Sequence, residues 1–197
     1  MSASLSGSLL RHSTAASSLR IPIRAGAVAL GVVLTAASAQ FTMPMAFTDV
    51  PFTLQPMVVL LTGAALGSRL GPLTQALYLM VGIAGLPVFA LDPRLPQGAL
   101  RLLGPTGGYL MAYPLAAFVT GWLAERGWDR RYIGSLAAML AGLLVVYAGG
   151  VSWRLGLLGS LDLAIATSVV PFLIPDVLKM AFAAMLLPGA WRMLGLK

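Results

Sequence analysis

The 197-residue chain has no cysteine, and its one histidine, His12, stands in a Ser-rich stretch near the N-terminus. Disulfides, thiolate metal sites and cysteine nucleophiles are therefore excluded. A single imidazole supports neither a multi-histidine metal site nor a histidine-based triad beyond its own neighbourhood, so hydrolytic chemistry of the usual kinds is not expected. Charge is scarce as well: 13 Lys and Arg with 6 Asp and Glu make 10% of the chain, against about 25% in a soluble domain. Apolar residues make up 58%. Six spans of about 20 residues would consume about 120 residues, which suits that fraction and leaves short connections. The composition predicts an all-α integral membrane protein with membrane lipid as its solvent. The net charge of +7 does not indicate nucleic acid, because its basic residues are scattered among apolar segments rather than gathered on one face.

Residues 1–24, Ser-rich and carrying Arg11, Arg20 and Arg24, have no continuous apolar core of the signal-peptide type and are expected to be a disordered cytoplasmic tail. A membrane domain over 25–197 follows. Its first span is expected at 25–43, ended by Pro44, and a second apolar run reaches Leu70. Gly71-Pro72 predicts a turn before a third span to Leu91. Asp92, Pro93, Arg94, Pro96, Gln97 and Arg101 read as an outer loop. The fourth span opens after Gly104-Pro105-Thr106-Gly107-Gly108 and ends near Glu125, the fifth covers 132–150, and the sixth runs from Pro175, with proline at its first position, to Met193.

Six spans with both termini cytoplasmic place nine cations inside (Arg11, Arg20, Arg24, Arg69, Arg126, Arg130, Arg131, Arg192 and Lys197) and three outside (Arg94, Arg101 and Arg154). That asymmetry obeys the positive-inside rule for a multi-pass protein of the cytoplasmic membrane. The outer connections, 44–55, 92–105 and 151–174, are then long and are expected to be irregular, so a site built from loops faces outward.

Asp176 and Lys179 stand three residues apart and share one helix face. A lysine near a helix N-terminus opposes the macrodipole and, away from water, needs a counter-charge. Two readings stay open: a structural ion pair, or a pair facing a cavity to hold a polar ligand. The glycines Gly107 and Gly108, followed by Tyr109, either open a helix or admit a ligand close to the backbone, without the Lys-Ser/Thr of a Walker loop. The segment Val50-Pro51-Phe52-Thr53-Leu54-Gln55 either closes a pocket or caps the bundle. Arg101 either attracts an anion or snorkels to water. Gly63, Gly67 and Gly71 repeat every four residues, as small residues do at packed helix faces, and Ala25, Ala29, Ala27 and Gly31 repeat similarly on the first span, where docking to another membrane subunit competes with internal packing.

Taken together, Leu34-Thr35-Ala36 with Ala39-Gln40, Val50-Pro51-Phe52-Thr53-Leu54-Gln55, Gly85-Leu86-Pro87-Val88-Phe89-Ala90, Gly104-Pro105-Thr106-Gly107-Gly108-Tyr109-Leu110, and Pro171-Phe172 before Asp176-x-x-Lys179 closely resemble the BioY family, the biotin-specific S components of energy-coupling factor (ECF) transporters. The order and spacing match over about residues 25–193. The chain departs from the family pattern in its third loop, Leu91-Asp92-Pro93-Arg94-Leu95-Pro96-Gln97, at Tyr113-Pro114 and at Ile174-Pro175.

The resemblance implies the six-helix ECF S-component fold, biotin as ligand, no cofactor and no enzymatic activity. It also implies a transmembrane coupling subunit and two ATPase subunits as partners, since this chain has no nucleotide motif. By the same resemblance Asp176 and Lys179 meet the bound vitamin. Biotin carries a ureido group with two N–H donors and one carbonyl, an apolar sulfur ring and an anionic valerate. The candidate set toward it is Asp176, Lys179, Tyr109, Gly107, Gly108, Thr53 and Gln55, the rings Phe52, Phe89, Trp153 and Phe172, and Arg101 for the carboxylate. The alternative function is a stand-alone carrier in which Asp176 exchanges a proton.

Overall fold

The computed structural model describes residues 17–193. The tail residues up to 16, including Arg11 and His12, and the C-terminal Lys197 lie outside the described residues. In chain order the elements are helix α1 (Ser17–Gln40), strands β1 (Thr42–Met45) and β2 (Thr48–Thr53), helix α2 (Gln55–Ile83), a single turn α3 (Leu100–Leu103), α4 (Gly107–Ala124), a 3-10 turn (Trp128–Arg130), α5 (Tyr132–Leu158), α6 (Leu161–Ser168) and α7 (Val170–Met193).

Although α2 is continuous by hydrogen bonding, it is a hairpin. Gly67 has φ 83°, a conformation that a side chain disfavours, and the chain reverses there. The reversal is evident from the contacts. Gln55 Nε2 donates to the Tyr78 hydroxyl at 2.7 Å across 23 residues, a stretch that a straight helix would extend over about 34 Å. The arms 55–66 and 68–83 pack so closely that a Cβ added at Gly71 would lie 2.9 Å from the Gly63 Cα. Gln75 Nε2 donates to Thr62 Oγ1 (2.9 Å) and Thr35 Oγ1 (3.3 Å), tying both arms to α1. The turn expected at Gly71-Pro72 therefore falls at Gly67, because only the latter residue carries the positive φ. Pro72 lies near the start of the second arm.

Helix α4 is sandwiched between α2 and α5, with α1 against α2 and α7 against α5. Small residues set these approaches. A Cβ at Gly63 would lie 2.6 Å from the Ala117 carbonyl oxygen, and one at Gly121 would lie 2.6 Å from the Gly67 carbonyl carbon. At the turn end, Glu125 accepts from the Ser68 amide (2.9 Å) and hydroxyl (2.7 Å). A carboxylate from α4 thus satisfies the first turn of the second arm and complements its dipole.

Outside the bundle the apolar side chains do not hide. Leu30, Val33, Leu144, Ile174, Leu178 and Phe182 are all exposed, a continuous apolar perimeter that water would not tolerate and lipid does. Among the described residues four helices are long and apolar enough to cross a bilayer: 21–40, 55–83, 132–158 and 170–190. The chain is a multi-pass helical membrane protein.

Several sequence boundaries move. The first helix starts at Ser17 rather than Ala25, so 17–24 are helical and not tail; Ile21 and Ile23 continue its apolar character. It ends at Gln40. The connection expected to be irregular over 44–55 is a β-hairpin, with Thr42 opposite Thr53 and Met43 opposite Phe52, and a register break between Met43 and Met45 at the N–H-less Pro44. The third span stops at Ile83, and α5 continues eight residues beyond its expected end. The final helix begins at Val170 instead of Pro175. Ahead of it lies α6, whose N-terminus is capped by the Ser160 hydroxyl, so 151–174 is mostly helical.

Candidate functional site

One end of the bundle carries the β-hairpin, the segment 84–106 and α6, and beneath them is a cavity. Its polar lining is Thr53, Gln55, Arg101, Thr106, Tyr109, Tyr113, Tyr147, Asp176 and Lys179. Phe89, Phe172 and Val146 are among its apolar walls. Each element delivers its residue for a local reason. Asp176 and Lys179 are one turn apart on α7 and turn inward together, while their neighbours Val177 and Leu178 are exposed to lipid.

The two form an ion pair, Lys179 Nζ to Asp176 Oδ1 at 2.7 Å, with both side chains at or below 9% exposure. Asp176 Oδ2 accepts from the Tyr147 hydroxyl at 2.8 Å. Lys179 also donates to the Thr53 carbonyl at 2.7 Å and sits 3.5 Å from the centroid of the Phe52 ring. This lysine therefore joins the last helix to the β-hairpin. Thr48 reinforces the seal from its hydroxyl to the Thr167 carbonyl at 2.7 Å. The ion pair and the cavity-facing pair, posed as alternatives by the sequence, coincide in one geometry.

Arg101 is the other charge in the wall. It is 1% exposed, and its guanidinium reaches only carbonyls: Ala90 at 3.1 Å and Pro96 at 3.4 Å. Its Nε is buried without a partner, as is the Thr106 hydroxyl. Burial lowers the guanidinium pKa from its ordinary value, with Asp92 opposing that shift at longer range. Asp92 itself is engaged by Arg94 at 2.7 Å. A buried arginine held by neutral carbonyls alone is an expensive arrangement that an anion relieves. Two cations and one anion give the lining a net charge of +1.

The aromatic wall is fixed by close packing. Phe89 is fully buried, edge-on to Tyr78 at 5.6 Å between centroids, and its ring occupies the place of a side chain at Gly82. Tyr109 donates to the Ser168 carbonyl at 3.0 Å, and Gly150 leaves room for its ring.

Of the residues singled out from sequence, Asp176, Lys179, Tyr109, Thr53, Gln55, Phe89, Phe172 and Arg101 meet around this cavity. Phe52 lies beside it, against Lys179. Gly107, Gly108 and Trp153 do not line it. Gly107 abuts the Leu102 carbonyl, and Gly108 abuts Gly149 and Trp153; both serve helix packing. Trp153 donates to the Gly104 carbonyl at 2.9 Å and holds the entry to α4. Tyr113 and Tyr147 were not singled out. The signal for Tyr147 was a phenol amid an apolar run, whose hydroxyl requires a partner when buried.

The BioY family profile matches residues 12–196 of the chain. The chain belongs to the BioY family. It is 40% identical over 159 residues to a protein of Pyrococcus horikoshii described as "Probable biotin transporter BioY", covering 81% of this chain and 90% of that one. To the "Biotin transporter BioY" of Thermotoga maritima it is 42% identical over 137 residues, 70% of this chain and 78% of the other. Its fold matches the crystal structure of an S-component for biotin from an ECF-type ABC transporter with TM-score 0.81 at 22% identity, over 90% of this chain and 95% of that one. BioY membership places the chain among transporter components rather than enzymes.

Proposed function

We infer that this chain captures biotin in the cavity beneath the β-hairpin, as the S component of an ECF-type vitamin uptake system. One observation carries the assignment: a mostly apolar cavity whose charged lining sums to +1, with an arginine that lacks a carboxylate and an Asp–Lys pair beside aromatic rings. A monoanion with a neutral polar head and an apolar middle matches this lining. The relatives' names supply the same ligand independently.

In this reading Asp176 accepts from the ureido N–H groups and Lys179 donates to the ureido carbonyl, exchanging its Thr53 contact as the ligand settles. Arg101 receives the carboxylate, and Phe89, Tyr109 and Phe172 pack on the bicycle. Each hydrogen bond to a charged group contributes about 1.5–3 kcal/mol. Thr106, with its unpartnered hydroxyl, joins the candidate contacts.

Six spans, counting the two arms of α2 separately, put both ends of the described chain on the side opposite the cavity. The excess of arginine at that side makes it cytoplasmic, in the cytoplasmic membrane, so biotin enters from outside. Energy comes from a coupling subunit and two ATPases. Ala25 and Ala29 stay exposed on α1 while Gly31 packs against Thr74, so the outward small-residue face is free for that coupling subunit. Asp176, held by both Lys179 and Tyr147, is poorly placed for the proton exchange that a stand-alone carrier would need.

Calorimetry of the purified protein with biotin and with biotin methyl ester tests the assignment. Tight binding of the acid and much weaker binding of the ester are expected. Equal affinity for both removes the role of Arg101, and no heat with either removes biotin as the ligand.

A further inference from the structure

Arg154 is a buried cation that the ligand contacts described above do not use. It lies near the end of α5, is 3% exposed, and its Nε is buried without a partner. Among the described residues its one hydrogen bond runs from a terminal guanidinium nitrogen to Thr167 Oγ1 at 2.9 Å, and no carboxylate pairs with it. An ionisable side chain held inside a membrane protein without a counter-charge points to a function.

What Arg154 holds is the C-terminal end of α6. Only Ala164 and Ser168 of that eight-residue helix are buried, so apolar burial seats it weakly and polar contacts decide where its end lies. Side chains from three elements converge there on two adjacent residues. Arg154 of α5 reaches the Thr167 hydroxyl, Thr48 of the β-hairpin the Thr167 carbonyl at 2.7 Å, and Tyr109 of α4 the Ser168 carbonyl at 3.0 Å. The Thr167 hydroxyl donates to the Leu163 carbonyl at 2.7 Å, which spends its hydrogen and leaves its lone pairs for the guanidinium. The charge also stands at the negative end of the helix dipole.

The same end of α6 governs two rings of the cavity wall. Tyr109 is tethered through its hydroxyl to Ser168, and Phe172 follows Ser168 by four residues across the α6–α7 junction. Arg154 moreover belongs to a stripe on α5: Tyr147, Gly150 and Arg154 are three and four residues apart and share one face. Tyr147 holds Asp176 at 2.8 Å, Gly150 admits the Tyr109 ring, and Arg154 holds the residue next to the acceptor of Tyr109.

We propose that Arg154 is a positioning residue for the fused rings of the ligand: by fastening the end of α6 it sets the spacing of Tyr109 and Phe172, and with it the preference for an intact bicycle. The proposal rests on the reading that biotin occupies the cavity.

The test is calorimetry of the purified full-length protein with biotin and with desthiobiotin, which keeps the ureido ring and the carboxylate but lacks the sulfur ring. Wild type is expected to prefer biotin. Arg154→Met should lose about tenfold in biotin affinity and much less in desthiobiotin affinity, so that the preference shrinks. Thr167→Val should behave alike, because it removes the acceptor while leaving the arginine and the shape of α6 in place; it also serves where Arg154→Met fails to fold. Arg154→Met combined with Tyr109→Phe should lose no more preference than the worse of the two alone, since both act through the end of α6. In ligand-free protein the amides of 164–169 should exchange faster in Arg154→Met and Thr167→Val, with those of α4 unchanged. Wild-type preference in folded Thr167→Val, or equal losses for the two ligands, overturns the positioning role while leaving biotin in the cavity. No binding of either ligand by wild type overturns the cavity reading and this proposal together.

Discussion

The two ends of the α2 hairpin solve opposite problems. At the turn end backbone meets backbone: Gly63, Gly71 and Gly121 admit no side chain, and Glu125 satisfies the amide and hydroxyl of Ser68. At the other end the first arm opens on a cavity in which Arg101 and Thr106 keep polar atoms without partners. The first end is optimised for the folded chain alone. The second is left incomplete, and a protein tolerates such incompleteness where a ligand finishes the set. Substitutions at the cavity end should therefore alter affinity more than stability, and substitutions at the turn end the reverse.

The largest effect is expected from Arg101→Met. Removing the charged partner of a buried carboxylate costs about 2–5 kcal/mol, or about 30- to 5,000-fold in affinity. The ligand-free protein should unfold at the same temperature or higher, because a buried arginine that reaches only carbonyls contributes little to the fold and an apolar side chain of similar length fills its place. Calorimetry gives the affinity and a thermal melt gives the stability. Equal losses in both would make Arg101 an ordinary structural residue and erase the contrast between the two ends.

Next in size is Asp176→Asn, for which biotin affinity should fall about 10- to 150-fold through loss of a charged acceptor. Lys179→Met should act similarly, and the double variant should lose less than the two single losses combined, since each single change strands the other charge. Additive losses would mean that the pair contacts the ligand at independent points. The contrasting change at the turn end is Gly63→Ala. Its new methyl group lies 2.6 Å from the Ala117 carbonyl oxygen, and stability should fall by about 1–3 kcal/mol while the folded fraction binds biotin as before.

How much of this was legible in the sequence follows the same division. Helical spans declare themselves through long apolar runs, the α4 start at Gly107 falls within two residues of its expected place after Gly108, and Asp176 and Lys179 share one inward face as their spacing puts them. The hairpin turn falls four residues before Gly71-Pro72, which carries the stronger local signal, whereas the backbone of Gly67, with its positive φ, packs against Gly121 from a distant helix. The β-hairpin was missed for a related reason: Pro44 and Pro51 argue against strands, and only the pairing of Thr42 with Thr53 overrides them. At the site, Gly107 and Gly108 belong to the glycine-rich helix entry and Trp153 is an available ring, but Gly107 packs against Leu102 and Gly108 against Gly149 and Trp153. Tyr147 acquires its role only when α5 and α7 meet, a contact that no local pattern encodes.

The smallest effect concerns how the loop around Asp92 and Arg94 is fastened to the β-hairpin. Asp92 accepts from the Arg94 amide and Nε at 3.0 Å each and from the second guanidinium nitrogen at 2.7 Å, and Arg94 donates onward to the Met45 carbonyl at 3.1 Å. The side-chain hydrogen bond from Arg94 is the main reason that the Asp92 carboxyl is held below its ordinary pKa. A carboxyl whose folded pKa is depressed contributes stability that is present above its unfolded value, about 3.9, and that is lost as pH falls through the folded value. Wild type should therefore be slightly more stable than Asp92→Asn at neutral pH, and the difference in Tm should shrink as pH drops from about 5 to about 3. Arg94 is substantially exposed, so salt should shrink the difference too. A difference that ignores both pH and salt would show that Asp92 supports the loop through packing, leaving the cavity roof without an electrostatic clasp.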